Sequence, residues 1–327
     1  MRALQIVKYG DIKDSLAFNE VSKPAVQATD ILIEVKAAAI NPIDKSIILG
    51  NLQGLLPIPF PTTSAYDVSG IVVEKGDDVS NFEIGDLVYS RVPQEQMGTI
   101  AEYVAVTSEA VSKKPGNISF EEAAGIPLAG LTALQSLEFA GIKANDRILI
   151  HAGSGGVGSL AIQYAKAKGA YVYTTTSTEN VQWVKELGAD RVIDYKTEDY
   201  KTIVKDVDVI YDTLGQKYTA EAFEVVRKGG QVISVAGPLD EETATMFGMA
   251  DYKLPEELAT LSAEKDASYK FIFMHPNGAH LAEIKTMIED EKIRPIVDTI
   301  YPFAESIDAF THLATGRAKG KIVIKIN

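Results

Sequence analysis

The chain has 327 residues, 45 of them acidic against 32 basic, for a formal net charge of −13. Hydrophobic residues at 46% and charged residues at 24% fit a folded globular protein of about two domains and argue against disorder. The acidity excludes a broad basic face for nucleic acid or an anionic membrane, and the absence of cysteine excludes disulfides, thiolate metal ligands and cysteine nucleophiles.

Met1-Arg-Ala-Leu-Gln-Ile-Val-Lys8 is too short an apolar run for a secretory leader and reads as a first strand. Strands are predicted at 3–7, 31–38, 68–74, 87–90 and 101–105, separated by Gly, Pro, Asp and Asn turns. Strands so closely spaced predict a barrel-like or sandwich-like unit. Ser119-Phe-Glu-Glu122 has the spacing of a capping box, so a helix should start there. The apolar region at 123–134 is broken by Gly125, Pro127 and Gly130 and is too short to span a bilayer. A cytoplasmic protein is expected.

From about residue 125 the rhythm changes. Strand 147–151 precedes helix 156–168, strand 171–176 precedes helix 179–187, and strand 208–212 precedes helix 217–227; strand 231–235 follows. The alternation predicts a doubly wound parallel sheet with helices on both faces. The acidic, proline-containing stretch 240–266 reads as a loop with short helices, 271–274 as a further strand and 281–291 as an amphipathic helix. At 320–326 lysines alternate with apolar residues, which predicts a strand with one wet face, returning to the first domain. The expected domains are 1–124 with 290–327, β-rich, and 125–289, α/β. The four histidines, at 151, 275, 280 and 312, are scattered; His275 and His280 flank Pro276 and Gly278 and lack the i, i+4 face of a helical zinc site, so no metal is expected.

Arg147-Ile-Leu-Ile-His-Ala-Gly-Ser-Gly-Gly-Val-Gly158 is the most informative stretch. It reads as a strand, a glycine turn and a helix start, with Gly153, Gly155 and Gly158 in G-x-G-x-x-G spacing. In a dinucleotide site the first glycine permits the tight turn, the second lets backbone approach a pyrophosphate, and the third lets helix and strand pack closely. The phosphates then meet unpaired N–H groups at the helix start. The residue expected to select the cofactor lies about 20 positions past the first glycine, where an acid favours NAD. Thr176 stands there, in Tyr173-Thr-Thr-Thr-Ser177, and no carboxylate comes before Glu179. Hydroxyls can donate to a 2′-phosphate that a carboxylate would repel, so NADP is expected over NAD, although the turn holds no Arg or Lys.

Several further segments carry a resemblance that covers the whole chain. They are Ala38-Ala-Ile-Asn-Pro-Ile-Asp44, Tyr66-Asp-Val-Ser-Gly-Ile-Val72, Ala123-Ala-Gly-Ile-Pro-Leu-Ala-Gly-Leu-Thr-Ala133, Leu187-Gly-Ala-Asp190 with Val192-Ile-Asp-Tyr195, and Gly316-Arg-Ala-Lys-Gly-Lys-Ile-Val323. Together with the glycine turn, they resemble the zinc-free quinone oxidoreductases of the medium-chain dehydrogenase/reductase superfamily, in the branch that reduces quinones and enones with NADPH. The resemblance implies a GroES-like catalytic domain formed by both chain ends and a Rossmann domain between them. It implies Asn41 on the nicotinamide side, Thr132 at the nicotinamide or its ribose, and Gly155, Gly156 and Val157 at the pyrophosphate. Thr176, Ser177, Asn180 and Tyr195 would surround the adenosine 2′-phosphate. Leu214, Gly237 and Phe273 would flank the cofactor, Lys319 and Gly320 would close the site, and Tyr66 would border the substrate. Three features depart from the group's pattern: Ser64 stands where glycine is common, Glu179 or Asn180 falls where many members carry a Lys or Arg near the 2′-phosphate, and Lys45 follows Asp44 directly, where the group places a lysine two positions on.

Without a zinc Lewis acid, alcohol dehydrogenation is less suited than reduction of quinones and enones, whose conjugation spreads the developing charge onto oxygen. The protein then orients the nicotinamide and acceptor and offers hydrogen bonds to that oxygen. The expected chemistry is hydride transfer from NADPH, with the proton from water or a hydroxyl, Tyr66 and Lys45 as candidate donors, and Asp44 and Asp67 as structural residues that bond backbone groups. Two alternatives stay open: an alkene-bond reductase without quinone activity, and a cofactor-binding regulatory or stress protein with negligible turnover. By resemblance a homodimer is expected, paired through an exposed apolar edge strand at 271–274.

Overall fold

The computed structural model of the protein describes residues 1–326. The chain divides into two units, Met1–Leu131 together with the chain from His275 onward, and Thr132–Met274; the sequence reading drew its lines at 124/125 and 289/290. The elements begin with β1 (Arg2–Ile6), α1 (Ile12–Ser15), β2 (Leu16–Glu20), β3 (Asp30–Ile40), α2 (Pro42–Ile48), β4 (Thr62–Thr63), β5 (Asp67–Lys75), β6 (Leu87–Arg91), β7 (Tyr103–Thr107), β8 (Val111–Lys113), α3 (Phe120–Ala124) and α4 (Pro127–Phe139). There follow β9 (Arg147–Ile150), α5 (Gly156–Ala167), β10 (Tyr171–Thr176), α6 (Val181–Lys185), β11 (Arg191–Asp194), α7 (Tyr200–Ile203), β12 (Val207–Asp212), α8 (Lys217–Val225), β13 (Val226–Ser234), α9 (Glu241–Met246), α10 (Glu256–Lys265) and β14 (Ser268–Phe271). The chain continues through α11 (Gly278–Glu289), β15 (Val297–Pro302), α12 (Ser306–Ala314) and β16 (Lys321–Lys325).

The first unit is the GroES-like one. Its main sheet runs β15-β16-β3-β5-β6-β8, with β7 also paired to β3. Strand β3 is central: antiparallel partners β16, β5 and β7 take up its backbone groups. Covered in this way, it reads as a nearly continuous apolar run, with Ile31, Ile33 and Val35 fully buried. Each such side chain contributes about 1.5–3 kcal/mol of hydrophobic stabilisation. Helix α11 belongs to this unit: the Tyr89 hydroxyl donates to the Leu281 carbonyl at 2.6 Å, and the Gly116 N–H donates to Glu289 at 2.9 Å.

The second unit is the Rossmann unit. Its six strands run β11-β10-β9-β12-β13-β14, all parallel. The order reverses after β9, the place where open α/β sheets bind ligands at the carboxyl ends of their strands. Its core gathers Leu149, Ile210, Phe223, Val226 and Val232.

The strand expected at 271–274 forms instead as β14, ending at Phe271. The partner strand β13 stops at Ser234, opposite Phe271, so the ladder ends there. The edge offered is Ser268, Tyr269 and Lys270, more polar than the apolar edge expected. The wet face expected for the C-terminal strand is also corrected. Strand β16 lies between β15 and β3, and Lys321 is 6% exposed; only Lys325 at its end is wet. The helix expected at 179–187 is a 3-10 turn, Thr178–Asn180, followed by α6. Among the described residues no helix is long and apolar enough to cross a membrane.

Candidate active site

In the Rossmann unit, the buried residues Ile148, Leu149 and Ile150 carry β9 into the glycine turn. The three glycines meet different surroundings. A Cβ at Gly153 would lie 2.3 Å from Thr174 Oγ1, and one at Gly158 would lie 2.3 Å from the Ala152 carbonyl. The protein itself therefore requires glycine at both. At Gly155 a Cβ would come no closer than 3.3 Å to any atom, and the backbone (φ −81°, ψ 171°) suits any residue. A Cβ there would press only on the Ala152 carbonyl, so Gly155 is less tightly constrained by the protein than Gly153 or Gly158. Gly155 caps the 12-residue α5 without a side-chain hydrogen bond, and Gly155, Gly156 and Val157 are half-exposed. The first N–H groups of a helix have no intrahelical acceptor, so this end fits a pyrophosphate.

Asp212, at the end of β12, organises the next loops. It is fully buried; its Oδ1 accepts from the Leu214 and Gly215 N–H groups at 3.0 and 2.9 Å, and its Oδ2 from the Thr219 and Ser234 hydroxyls at 2.6 and 2.9 Å. Ser234 Oγ in turn accepts from the Gly237 N–H at 2.8 Å. Leu214 and Gly237, both expected at the cofactor, are thus held by one carboxylate. Phe273 meets Phe247 edge-on at 4.9 Å. Thr132 is buried, and its carbonyl accepts from the Tyr211 hydroxyl at 3.2 Å. His151 is fully buried between the Tyr200 and Tyr218 rings, and burial holds its imidazole down at about 4, against opposing attraction from Asp212 and Glu221.

At the ends of β10 and β11, Thr176 stands opposite Asp194. Thr176 is 1% exposed, and its Oγ1 is buried with no hydrogen-bond partner. Ser177 and Asn180 are buried, Asn180 donating to Ser177 Oγ at 3.0 Å and accepting from the Trp183 indole at 2.9 Å. Tyr195 is 60% exposed. The β10 turn holds no Lys or Arg of its own; Lys196, just past β11, places its Nζ 3.0 Å from Glu179.

The first unit holds a buried charged cluster. Asn41 precedes α2, where Pro42 starts the helix. Its side-chain amide donates to Asp67 at 2.9 Å, while its carbonyl oxygen accepts from Lys321. Lys321 also pairs with Asp67 at 3.1 Å, both fully or nearly buried. The other Asp67 oxygen accepts from the Leu128 N–H at 2.8 Å. Asp44 accepts from the Asn41 N–H at 2.6 Å; its second oxygen is buried and unpartnered. Burial pushes the Asp44 carboxyl up to about 7, against the pull of the Asn41 N–H and of Lys321 and Arg91. The two aspartates therefore do hold backbone groups.

Tyr66 is fully buried, its hydroxyl donating to Gln94 and its ring covered by the Arg91 guanidinium at 4.4 Å. Burial, then the Asp44 charge, push its phenol well above the ordinary range. Lys45 is half-buried, and its Nζ makes no hydrogen bond or ion pair among the described residues. Lys319 is exposed. Gly320 is buried at φ +79°, and a Cβ there would lie 2.2 Å from the Ile296 carbonyl, so its glycine has a structural reason.

Sequence reasoning missed Lys196, Asp212, Arg91 and Lys321. For Lys321 the signal was available: it falls directly after Lys319 and Gly320. The others are brought in by partners distant in sequence. Among the described residues no three His, Cys, Asp or Glu side chains come together to hold a metal ion.

Residues 27–116 match the family model described as alcohol dehydrogenase GroES-like domain, and residues 187–324 the one described as zinc-binding dehydrogenase. The chain is 35% identical to 2-methylene-furan-3-one reductase of Solanum lycopersicum, covering 99% of this chain and 79% of that protein. It is 34% identical to the chloroplastic NADPH-dependent alkenal/one oxidoreductase of Arabidopsis thaliana, with the same coverage. The solved structure of the quinone oxidoreductase from Coxiella burnetii is similar at TM-score 0.88 and 32% identity, covering 100% of this chain and 99% of that one.

Proposed function

The chain belongs to the medium-chain dehydrogenase/reductase superfamily, among its quinone and enone reductases, and from that premise we propose that it is an NADPH-dependent, zinc-independent reductase of quinones and α,β-unsaturated carbonyl compounds. The observation that carries the reading is the start of α5, where Gly155, Gly156 and Val157 leave helix N–H groups without a side-chain cap and a Cβ at Gly155 would press on the Ala152 carbonyl at 3.3 Å. Gly155, Gly156 and Val157 would hold the pyrophosphate there, beside the turn fixed by Gly153 and Gly158. Leu214, Gly237, Phe273 and Thr132 would flank the nucleotide, and Lys319 and Gly320 would close over it. Thr176, with its free buried hydroxyl, and Ser177, Asn180 and Tyr195 would receive the adenosine 2′-phosphate.

When bound, NADPH would supply the hydride that the acceptor carbon takes up. The chain's own task is to orient the ring and the acceptor and to pass a proton to the oxygen or neighbouring carbon that gains charge. Asn41, held by Asp67 and Lys321, is not a free amide; in this reading it would be a rigid support on the nicotinamide side. Of the two candidate proton donors, geometry favours Lys45, whose ammonium is uncommitted; the Tyr66 hydroxyl is spent on Gln94. Turnover unchanged in Tyr66→Phe would remove Tyr66 from the proton path. Zinc independence is supported by the lack of cysteine in the chain. We also propose a cytoplasmic homodimer, the dimer by resemblance alone.

The test is loss of reduced-nicotinamide absorbance with NADPH and, separately, NADH on a naphthoquinone, an unsaturated ketone and a simple aldehyde. Oxidation with the quinone or the ketone, faster with NADPH, is expected. Oxidation with the ketone alone would narrow the reading to an alkene-bond reductase. Tight binding with no oxidation of any acceptor would favour a regulatory, cofactor-binding role.

A further inference from the structure

Strands β10 and β11 end side by side, and the Tyr195 N–H donates to the Thr176 carbonyl at 3.1 Å, folding the chain after β11 over the end of β10. The next residue, Lys196, is anchored by its own N–H, which donates to Asp194 Oδ1 at 3.0 Å. Its ammonium reaches across to Glu179 at 3.0 Å, with both side chains about half exposed at 49% and 54%. On the adjoining strand end, Thr176 Oγ1 is buried and has no partner. A paired cation and an orphaned hydroxyl thus stand at the place where the sequence offers no selecting carboxylate.

We propose that Lys196 is the residue that selects a 2′-phosphate and that Glu179 is the anion it exchanges for that phosphate. The inference rests on the dinucleotide reading above. The ion pair is exposed and gains little in water, while Glu179 is also held by its own N–H and the Ser177 hydroxyl, contacts that the phosphate must replace. A phosphate monoester brings up to two negative charges and three acceptor oxygens, against one charge from the carboxylate, so it outcompetes Glu179 for the ammonium. Thr176 Oγ1 gains an acceptor in the same event, and Glu179 turns to solvent. When the ribose carries only hydroxyls, the pair stays closed and nothing is gained from it. Glu179 also opposes the incoming phosphate, so its charge limits the preference that Lys196 creates.

Calorimetric titration of the full chain with 2′,5′-ADP and with 5′-ADP tests this in the wild type, Lys196→Met and Glu179→Gln. Both substitutions lie on the exposed rim, and matching melting temperatures would confirm that the fold is kept. Lys196→Met should weaken 2′,5′-ADP about tenfold, the loss of one charge-assisted contact, and leave 5′-ADP within about twofold. Glu179→Gln should tighten 2′,5′-ADP and leave 5′-ADP unchanged. Equal losses for both ligands in Lys196→Met, or no loss for either, would overturn the role of Lys196 while leaving the nucleotide site standing. Failure of the wild type to bind either ligand would overturn the dinucleotide reading and this inference with it.

Discussion

Gly153, Gly155 and Gly158 share a motif but answer to different neighbours. Alanine at 153 or 158 must displace Thr174 or the backbone of Ala152, so each variant should lose about 1–3 kcal/mol, read as a lowered urea midpoint. Alanine at 155 presses on the Ala152 carbonyl at 3.3 Å, a milder clash than at 153 or 158, so it should lose less stability than either and lose NADPH affinity. Unchanged affinity in a well-folded Gly155→Ala would remove the pyrophosphate from that turn. The spacing of these glycines was legible in the sequence because strand, turn and helix are local. Lys321 was misread: its place directly after Lys319 and Gly320 was a signal, but alternation with apolar residues predicted a wet lysine, and only the sheet shows Asn41 and Asp67 facing it. Lys321→Met leaves the Asp67 charge buried without its cation. It should cost on the order of 3 kcal/mol, more than any exposed lysine on the chain, by denaturant titration.

Among the elements, α3 started where its sequence predicted, with Ser119 Oγ accepting from the Glu122 N–H at 3.1 Å and Glu122 accepting from the Ser119 N–H at 2.8 Å. Ser119→Ala should therefore cost about 1 kcal/mol of stability, seen as a shifted denaturation midpoint with activity retained. Strands β9, β10 and β12 were legible from apolar runs next to helical periodicity. The end of β14 was not, because Phe271-Ile-Phe-Met274 is apolar throughout and only the end of its partner at Ser234 sets the limit. Lys196 escaped notice for a related reason. Its position beside Thr176 follows from the parallel register of β10 and β11, and local sequence carries no register information across a crossover.

For the whole molecule, two buried groups set opposing pH dependences. His151 titrates at about 4 in the fold against an ordinary 6.5, so its contribution is present above 6.5 and is lost as pH falls through 4. Asp44 titrates at about 7 against 3.8, so its contribution is present below 3.8 and is lost as pH rises through 7. Between these limits each changes stability by about 1.4 kcal/mol per pH unit, with opposite sign. Asp44→Asn keeps the acceptor for the Asn41 N–H and removes the titration. Its stability relative to wild type should fall as pH drops from about 7 to 4, by chemical denaturation at several pH values; a constant difference would contradict a protonated Asp44. The two-unit α/β architecture was legible from the change of rhythm near residue 125, and the glycine turn pointed to the nucleotide. The buried charge cluster was not legible, since it joins residues from both chain ends. The most direct test of the reductase reading uses NADPH deuterated at the transferred position of its nicotinamide, an unsaturated ketone and mass spectrometry of the product. The reading predicts one deuterium on the carbon β to the carbonyl. A reduced product without deuterium, or none at all from an enzyme shown to bind NADPH, would contradict it.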